Sequence, residues 1–283
     1  MIDLHTHSRA SDGTDTPGQV LEAAAAAGLA VVALTDHDTT SGWADAAATV
    51  ARTGVALVRG TEISTRIATP DGGISVHLLA YLHDPAHPAL VAELARTRDD
   101  RLTRARRMTD RLAEDFPLTW QDVLAQTHDG ATVGRPHLAD ALVVAGVVAH
   151  RDEAFATMLH PGAPYYVPHY ATDTADAVRT VLAAGGVPVM AHPRAGKRGR
   201  VVDEETLAAL ADAGLAGLEV DHRDHDAADR ARLREVAAEL GLLTTGSSDY
   251  HGAGKRNLIG ENTTDPAVLA EIERRGKLEV LRP

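Results

Sequence analysis

Thr16-Pro17-Gly18-Gln19-Val20-Leu21-Glu22-Ala23-Ala24-Ala25-Ala26-Ala27-Gly28-Leu29-Ala30-Val31-Val32-Ala33-Leu34-Thr35-Asp36-His37-Asp38 is the stretch on which the fold class turns. Thr16 offers a side-chain oxygen to cap a helix, and Pro17 suits the first helical position, where a missing N–H costs nothing. Residues 17–27 therefore read as a helix, which Gly28 ends. Residues 29–34 are an unbroken apolar run of strand length, the signature of a parallel strand buried on both faces. The run stops abruptly at Thr35-Asp36-His37-Asp38, four polar residues where a strand would emerge.

The same alternation extends on both sides. Residues 1–5 read as a short apolar strand, 40–52 as a helix, and 55–60 and 75–81 as strands, a pattern that argues for a parallel sheet or barrel. Past Pro88 the character changes. Residues 89–116 are densely charged and helical in pattern, and helical signals continue through 121–127, 136–145 and 152–159. Residues 96–168 are expected to form an all-helical insertion in a barrel built from 1–95 and 169–283. Alternation resumes with a helix at 174–184, a strand at 187–191, a helix at 203–213, a strand at 217–221, a helix at 226–240 and a strand at 243–246.

The chain has 283 residues, within the span of a single α/β barrel of about 250 residues, and 44% are hydrophobic but only 3% aromatic. The core is therefore aliphatic. With 28 Lys+Arg against 40 Asp+Glu, the net charge of −12 argues against coating duplex DNA. The absence of cysteine excludes thiolate metal sites, cysteine nucleophiles and disulfides together. No apolar run approaches the ~20 residues of a membrane span, and the N-terminus lacks the basic-then-apolar pattern of a signal peptide. A soluble cytoplasmic protein without membrane partners is expected.

The 15 histidines are the informative residues. His5 and His7 lie two apart at the end of the first strand, so both rings can point to one side. Thr35-Asp36-His37-Asp38 follows residues 29–34, and Gly60-Thr61-Glu62 follows 55–58. His77 lies within 75–81, His192-Pro193 follows 187–191, and Ser248-Asp249-Tyr250-His251 follows the last strand. Asp12 stands in the loop after His7. Each alone has an ordinary alternative: a helix cap for Asp38, a hydrogen-bonded core residue for His77, two exposed histidines for His5 and His7. In α/β barrels, however, functional groups collect at the carboxyl ends of the strands, and one mouth would gather them all.

On these motifs the chain resembles the PHP (polymerase and histidinol phosphatase) family. The matching segments are His5-Thr6-His7, Ser11-Asp12-Gly13, Thr35-Asp36-His37-Asp38, Gly60-Thr61-Glu62-Ile63-Ser64, His77-Leu78-Leu79-Ala80-Tyr81, Ala191-His192-Pro193 and Ser247-Ser248-Asp249-Tyr250-His251-Gly252. The resemblance is to the stand-alone metal-dependent phosphoesterases. It implies a distorted (β/α)7 barrel with two to three divalent metal ions. His5, His7, Glu62 and Asp249 would hold the first; Glu62 would bridge to a second, completed by His77 and His192; Asp12, His37 and His251 would hold a third. Six imidazoles and three carboxylates without sulfur suit Mn, Fe or Zn.

Three divalent ions against three carboxylates leave a surplus of about +3, which favours an anionic substrate. A metal-activated water would serve as the attacking group, so no protein nucleophile is needed. In Gly134-Arg135-Pro136-His137, a pattern usual in the resembled subgroup, Arg135 can fork two hydrogen bonds onto a phosphate, with His137 beside it. The Gly-rich segment Arg194-Ala195-Gly196-Lys197-Arg198-Gly199-Arg200 is either a solvated loop or a source of pocket cations, among which Arg194 and Lys197 are the candidates. His222 and His225 are either ordinary exposed histidines or groups able to protonate the leaving oxygen, with His222 the candidate general acid. Asp36 is a candidate to orient a ligand imidazole. The expected activity is hydrolysis of phosphate monoesters of nucleotides, either nucleoside monophosphates or 3′,5′-bisphosphonucleotides, with short oligonucleotide ends as further partners. The rivals are a histidinol-phosphate phosphatase and a non-catalytic PHP module.

Overall fold

The computed structural model describes residues 1–70, 72–128, 130–196 and 199–283. The leading third of the chain forms β1 (Ile2–Thr6), α1 (Pro17–Ala26), β2 (Val31–Leu34), α2 (Trp43–Thr53), β3 (Ala56–Ile67) and β4 (Ile74–Tyr81). Four consecutive helices follow: α3 (Pro88–Leu112), α4 (Trp120–Leu124), α5 (Arg135–Val144) and α6 (Arg151–Thr157). The chain then returns through β5 (Thr172–Asp173), α7 (Thr174–Ala183), β6 (Val187–Met190), α8 (Glu204–Asp212), β7 (Gly217–Asp221), α9 (Ala227–Leu240), β8 (Leu243–Gly246) and α10 (Pro266–Arg275).

The sheet runs β1-β2-β3-β4-β6-β7-β8, with β5 paired to β3 off this path. Its ends approach each other: a parallel bridge joins Thr6 to Tyr250, and the His7 N–H donates to the Tyr250 carbonyl at 2.8 Å. The result is a nearly closed, distorted barrel of seven strands. One strand departs from the expected parallel order. β4 runs antiparallel to both β3 and β6, because only residues 68–73 separate it from β3, too few for a parallel crossover. Pairing with β4 also carries β3 beyond Gly60 to Ile67, so Glu62 lies inside a strand rather than after one.

Strand alternation places each face. On β2, Val32 and Leu34 turn outward into a cluster with Val20, Leu21 and Ala24 of α1 and Trp43, Ala46 and Val50 of α2, whereas Ala33 joins the inner cluster. On β4, Val76, Leu78 and Ala80 pack outward and Leu79 and Tyr81 inward, which puts His77 on the inner side. The same parity sends Leu218 and Val220 of β7 outward and leaves Glu219, wholly buried, facing in. The Thr16 cap forms as its sequence suggests, in a capping box with Gln19.

The central helices have a core of their own, in which Met108, Leu112, Val123, Leu138, Leu142 and Leu159 are buried together. Leu90 and Leu94, at the start of α3, instead pack with the barrel's outer residues. Helix α3 is thus continuous from one core to the other, through position 96. No helix among the described residues is long and apolar enough to cross a membrane.

Candidate metal centre

The loops leaving β1, β2, β6 and β8, together with the middle of β3 and of β4, converge at one mouth. Thr35 N–H donates to the Thr6 carbonyl at 2.9 Å and Glu62 N–H to the Thr35 carbonyl at 3.0 Å, so the ends of β1, β2 and β3 are knitted together there. Three groups of side chains have donor atoms within 4.8 Å of one another: His7, Asp12, His37 and His251; His5, His7 and Asp249; and His37, Glu62 and His77. His192 joins them through Glu62, its Nε2 3.3 Å from Glu62 Oε1. All nine residues expected around the ions thus meet in one place. Their grouping differs from the expected partition in that His7 and His37 each belong to two groups.

Glu62 is the hub. Its Oε2 lies 3.2 Å from His5 Nε2, 3.0 Å from His7 Nε2 and 3.1 Å from His37 Nδ1, while Oε1 lies 2.7 Å from His77 Nδ1 and 3.3 Å from His192 Nε2. One carboxylate therefore faces two sets of imidazoles with separate oxygens. His5 Nε2 and His7 Nε2 are only 3.0 Å apart, close enough for both to face one cation. The buried His37 Nδ1 and His251 Nε2 make no hydrogen bond, although Glu62 and Asp12 oxygens stand at 3.1 and 3.3 Å. Orphaned ring nitrogens aimed at carboxylates are what a ligand shell for divalent metal requires, and the donor set fits.

Electrostatics agree. Burial alone would raise the Glu62 pKa, but His37, His77 and His5 outweigh it and hold the carboxyl well below its usual range. Burial also disfavours the His5 cation, yet Glu62, Glu219 and Asp249 together raise its pKa well above the ordinary 6.5. His251 is lowered to about 4, by burial first and then by Lys255 and His7. Backbone strain concentrates here too. His192 has φ 30° and Asp38 and Asp249 have φ 53°, left-handed conformations that non-glycine residues hold only when their surroundings impose them.

The residues behind the cluster include several that sequence reasoning missed. Glu219 takes His5 Nδ1 at 2.9 Å and the His192 N–H at 2.7 Å, and also bonds Ser247. Its signal was a carboxylate in the middle of a buried strand. Asp38 accepts the Ser64 N–H and hydroxyl at 2.8 Å each and pairs with Arg101 Nε at 2.8 Å. Lys255 Nζ sits 2.9 Å from Asp249 Oδ2.

Asp36 acts at one remove from where it was expected. It accepts from Ser8 N–H, Ser8 Oγ and Ser11 Oγ, and only Ser11, 3.4 Å from His7 Nδ1, touches a ring.

The remaining candidates divide. His137 Nδ1 accepts the Gly134 N–H at 3.1 Å, capping α5, and Arg135 Nη1 donates to the Leu159 carbonyl at 3.0 Å. Arg194 is turned away from the cluster, its Nε held by Asp229 at 2.8 Å and its N–H by His225 Nε2 at 3.1 Å. His222 is wholly buried, with Nε2 3.6 Å from Asp249 Oδ2 and its ring centroid 5.3 Å from that of His192. Lys197 and Arg198 lie outside the described residues.

A barrel whose strand ends gather buried imidazoles around shared carboxylates defines a hydrolase-type centre able to hold divalent metal. The chain belongs to the PHP family, whose domain matches residues 3–157. It is 37% identical over 284 residues to the 3′,5′-nucleoside bisphosphate phosphatase of Chromobacterium violaceum, covering 100% of this chain and 98% of that protein. It is 36% identical over 253 residues to the phosphoribosyl 1,2-cyclic phosphate 1,2-diphosphodiesterase of Eggerthella lenta, covering 88% and 94%. A Bifidobacterium adolescentis crystal structure described as a metal-dependent phosphoesterase matches with a TM-score of 0.93 at 45% identity, over 97% of this chain and 96% of that one.

Proposed function

We propose that the protein hydrolyses phosphate monoesters of nucleotides at a cluster of two to three divalent ions, Mn, Fe or Zn. The observation that carries this reading is the division of Glu62, one oxygen toward His5, His7 and His37 and the other toward His77 and His192. Asp249 with His5 and His7, and Asp12 with His37 and His251, supply the flanking ligands. Ions held there would lower the pKa of a water and balance charge on the phosphoryl oxygens. The likeness to a nucleoside bisphosphate phosphatase over the full chain supports a nucleotide as substrate.

In this reading the chain's own groups prepare the site. Glu219 fixes the tautomer of His5 by holding Nδ1, leaving Nε2 as the ligand atom. Lys255 offsets charge on Asp249. Helices α3–α6 act as a cap that selects the substrate: Arg98 Nη1 donates to the Asp38 carbonyl at 2.7 Å, Thr132 N–H to the Ala10 carbonyl at 3.0 Å, and Arg151 Nη1 to the Gly254 carbonyl at 3.2 Å. The cap is thereby tied to three loops of the mouth. The test is phosphate release from a panel of mono- and bisphosphorylated nucleotides, with histidinol phosphate alongside, in Mn, Mg and Zn. Release from a nucleotide supports the reading, and undiminished release after thorough metal stripping overturns it.

A further inference from the structure

The two oxygens of Asp249 have different neighbours. Oδ1 faces the imidazoles, 3.5 Å from each of His5 Nε2, His7 Nε2 and His251 Nδ1. Oδ2 faces Lys255, whose Nζ is 2.9 Å away, and His222, whose Nε2 is 3.6 Å away. One oxygen is turned toward the metal cluster and the other is met by donors of the protein itself.

The hydrogen bonds of His222 decide which of its nitrogens carries a proton. Nδ1 accepts the Asp224 N–H at 3.1 Å, so Nε2 is the protonated one. A nitrogen that bears a proton cannot ligate a metal, and His222 is therefore a donor rather than a tenth ligand. Its Nε2 is buried without a hydrogen-bond partner and stands before Asp249 Oδ2. The ring is fixed between those of His192 and His225, with centroids 5.3 and 5.6 Å away, and the His222 carbonyl accepts from Arg230 Nη2 at 2.8 Å.

Lys255 is held as firmly, although its side chain is partly exposed. Gly254, just before it, gives its carbonyl to Arg151 Nη1 at 3.2 Å, and a Cβ at Gly254 would run into that guanidinium. Asn257, two residues after it, donates from Nδ2 to the Ser248 carbonyl at 2.6 Å. The loop is thus pinned on both sides of Lys255 and back onto the residue that precedes Asp249. A charge-assisted hydrogen bond to Oδ2 engages the lone pairs that a chelating carboxylate would turn toward an ion. Carboxylates bind metal through one oxygen or both, and a catalytic centre needs a position left for water.

We propose that Lys255 and His222 are positioning residues that reserve Oδ2 of Asp249, so that Asp249 gives the ions Oδ1 alone and a coordination position stays open. This rests on the metal-dependent reading under Proposed function and adds to it how the chain keeps the centre from saturating itself. It gives His222 the part of a fixed donor to a ligand, in place of an acid toward the leaving oxygen.

Cobalt(II) provides the test, because it absorbs visible light less strongly as its coordination number rises. It is titrated into chelator-treated parent, Lys255→Met, Lys255→Arg and His222→Phe, each checked for folding by far-UV circular dichroism, and kcat and KM are measured alongside. Lys255→Met should hold as many ions per chain as the parent, absorb less per ion, and lose about 10–100-fold in kcat with KM little changed. Lys255→Arg, which can still donate to Oδ2, should recover part of both, and His222→Phe should shift the absorbance in the same direction. Because His222 is buried, the Lys255 variants carry the decision if His222→Phe does not fold. Unchanged absorbance per ion in folded Lys255→Met overturns the proposal whatever the activity, and so does a loss of bound ions in its place. A parent that takes up no cobalt removes the metal-dependent reading and this one together. A parent that takes up cobalt and turns over no nucleotide removes the phosphatase reading alone, and the absorbance still decides the part of Lys255.

Discussion

His5 Nδ1 stands 2.9 Å from Glu219 Oε1, joining the end of the first strand to the middle of β7 across the barrel interior. Both groups are wholly buried. The same carboxylate secures the His192 N–H at 2.7 Å, so one side chain sets the ring of one expected ligand and the backbone of another. Replacing Glu219 with Gln keeps the shape and removes the charge. Partners of this kind typically change metal affinity by about 10–100-fold. Glu219→Gln is expected to weaken Mn binding by that factor while retaining the fold, as read by metal titration and far-UV circular dichroism.

Removing the shared carboxylate is more severe. Glu62→Ala or Asp249→Ala should abolish phosphate release, and chelation of the parent should do the same, reversibly on adding Mn. Metal content per chain, measured alongside activity, checks the cause. Loss of activity with full metal content would place these carboxylates outside the ligand set.

Asp38 neutralises a buried guanidinium. With Arg101 only 7% exposed and its Nε 2.8 Å from Asp38 Oδ2, deleting the acid strands the charge, at about 3–5 kcal/mol. Asp38→Ala should lower unfolding free energy in urea by that amount. Asp38→Asn, which tolerates the left-handed backbone better and can still bond Ser64, should cost less.

His83 makes stability pH-dependent. It is buried beside Trp43, with Nε2 3.2 Å from Thr61 Oγ1 and Nδ1 unbonded, and burial lowers its pKa from 6.5 to about 4. The unfolded chain therefore takes up a proton near pH 6.5 that the folded one refuses until about pH 4. The contribution is complete above pH 6.5 and is lost as pH falls toward 4, amounting to roughly 2 kcal/mol at pH 5. Between pH 7.5 and 5, the parent should lose about that much more stability than His83→Gln, measured by urea unfolding of chelator-treated protein.

Helices α3–α6 have a core of their own, so a cavity there tests their coupling to the barrel. Leu142 is fully buried among Met108, Leu138 and Leu159, and Leu142→Ala should cost about 2–5 kcal/mol. Because α3 carries Leu90 and Leu94 into the barrel's packing, a single cooperative unfolding transition is expected. Two separated transitions would show that these helices melt alone.

Much of the fold was readable because its signals are local. A Thr-Pro cap, a glycine stop and an apolar hexad mark the helix and the strand at residues 16–34, and the expected strands at 217–221 and 243–246 coincide with β7 and β8. The antiparallel turn of β4 was not readable, since residues 75–81 have the same apolar pattern in either direction and only the short connection to β3 decides it. The site divides in the same way. His5, His7, His37, His192 and Asp249 stand out as polar residues at the ends of apolar runs. Arg101, which pairs with Asp38 behind the cluster, by contrast sits in a helix so rich in charge that nothing local separates the buried from the solvated.

The sequence by itself determined the alternation of strand and helix and the supply of imidazoles and carboxylates at strand ends, because periodicity and composition act over a few neighbouring residues. Only the tertiary structure decided that Glu62 faces two sets of rings, that Glu219 binds His5 from 214 positions away, and that Arg101 is buried against Asp38. Those facts depend on which distant segments share a desolvated space. That is a property of closing the barrel and seating the helices over it, and no stretch of chain encodes it alone.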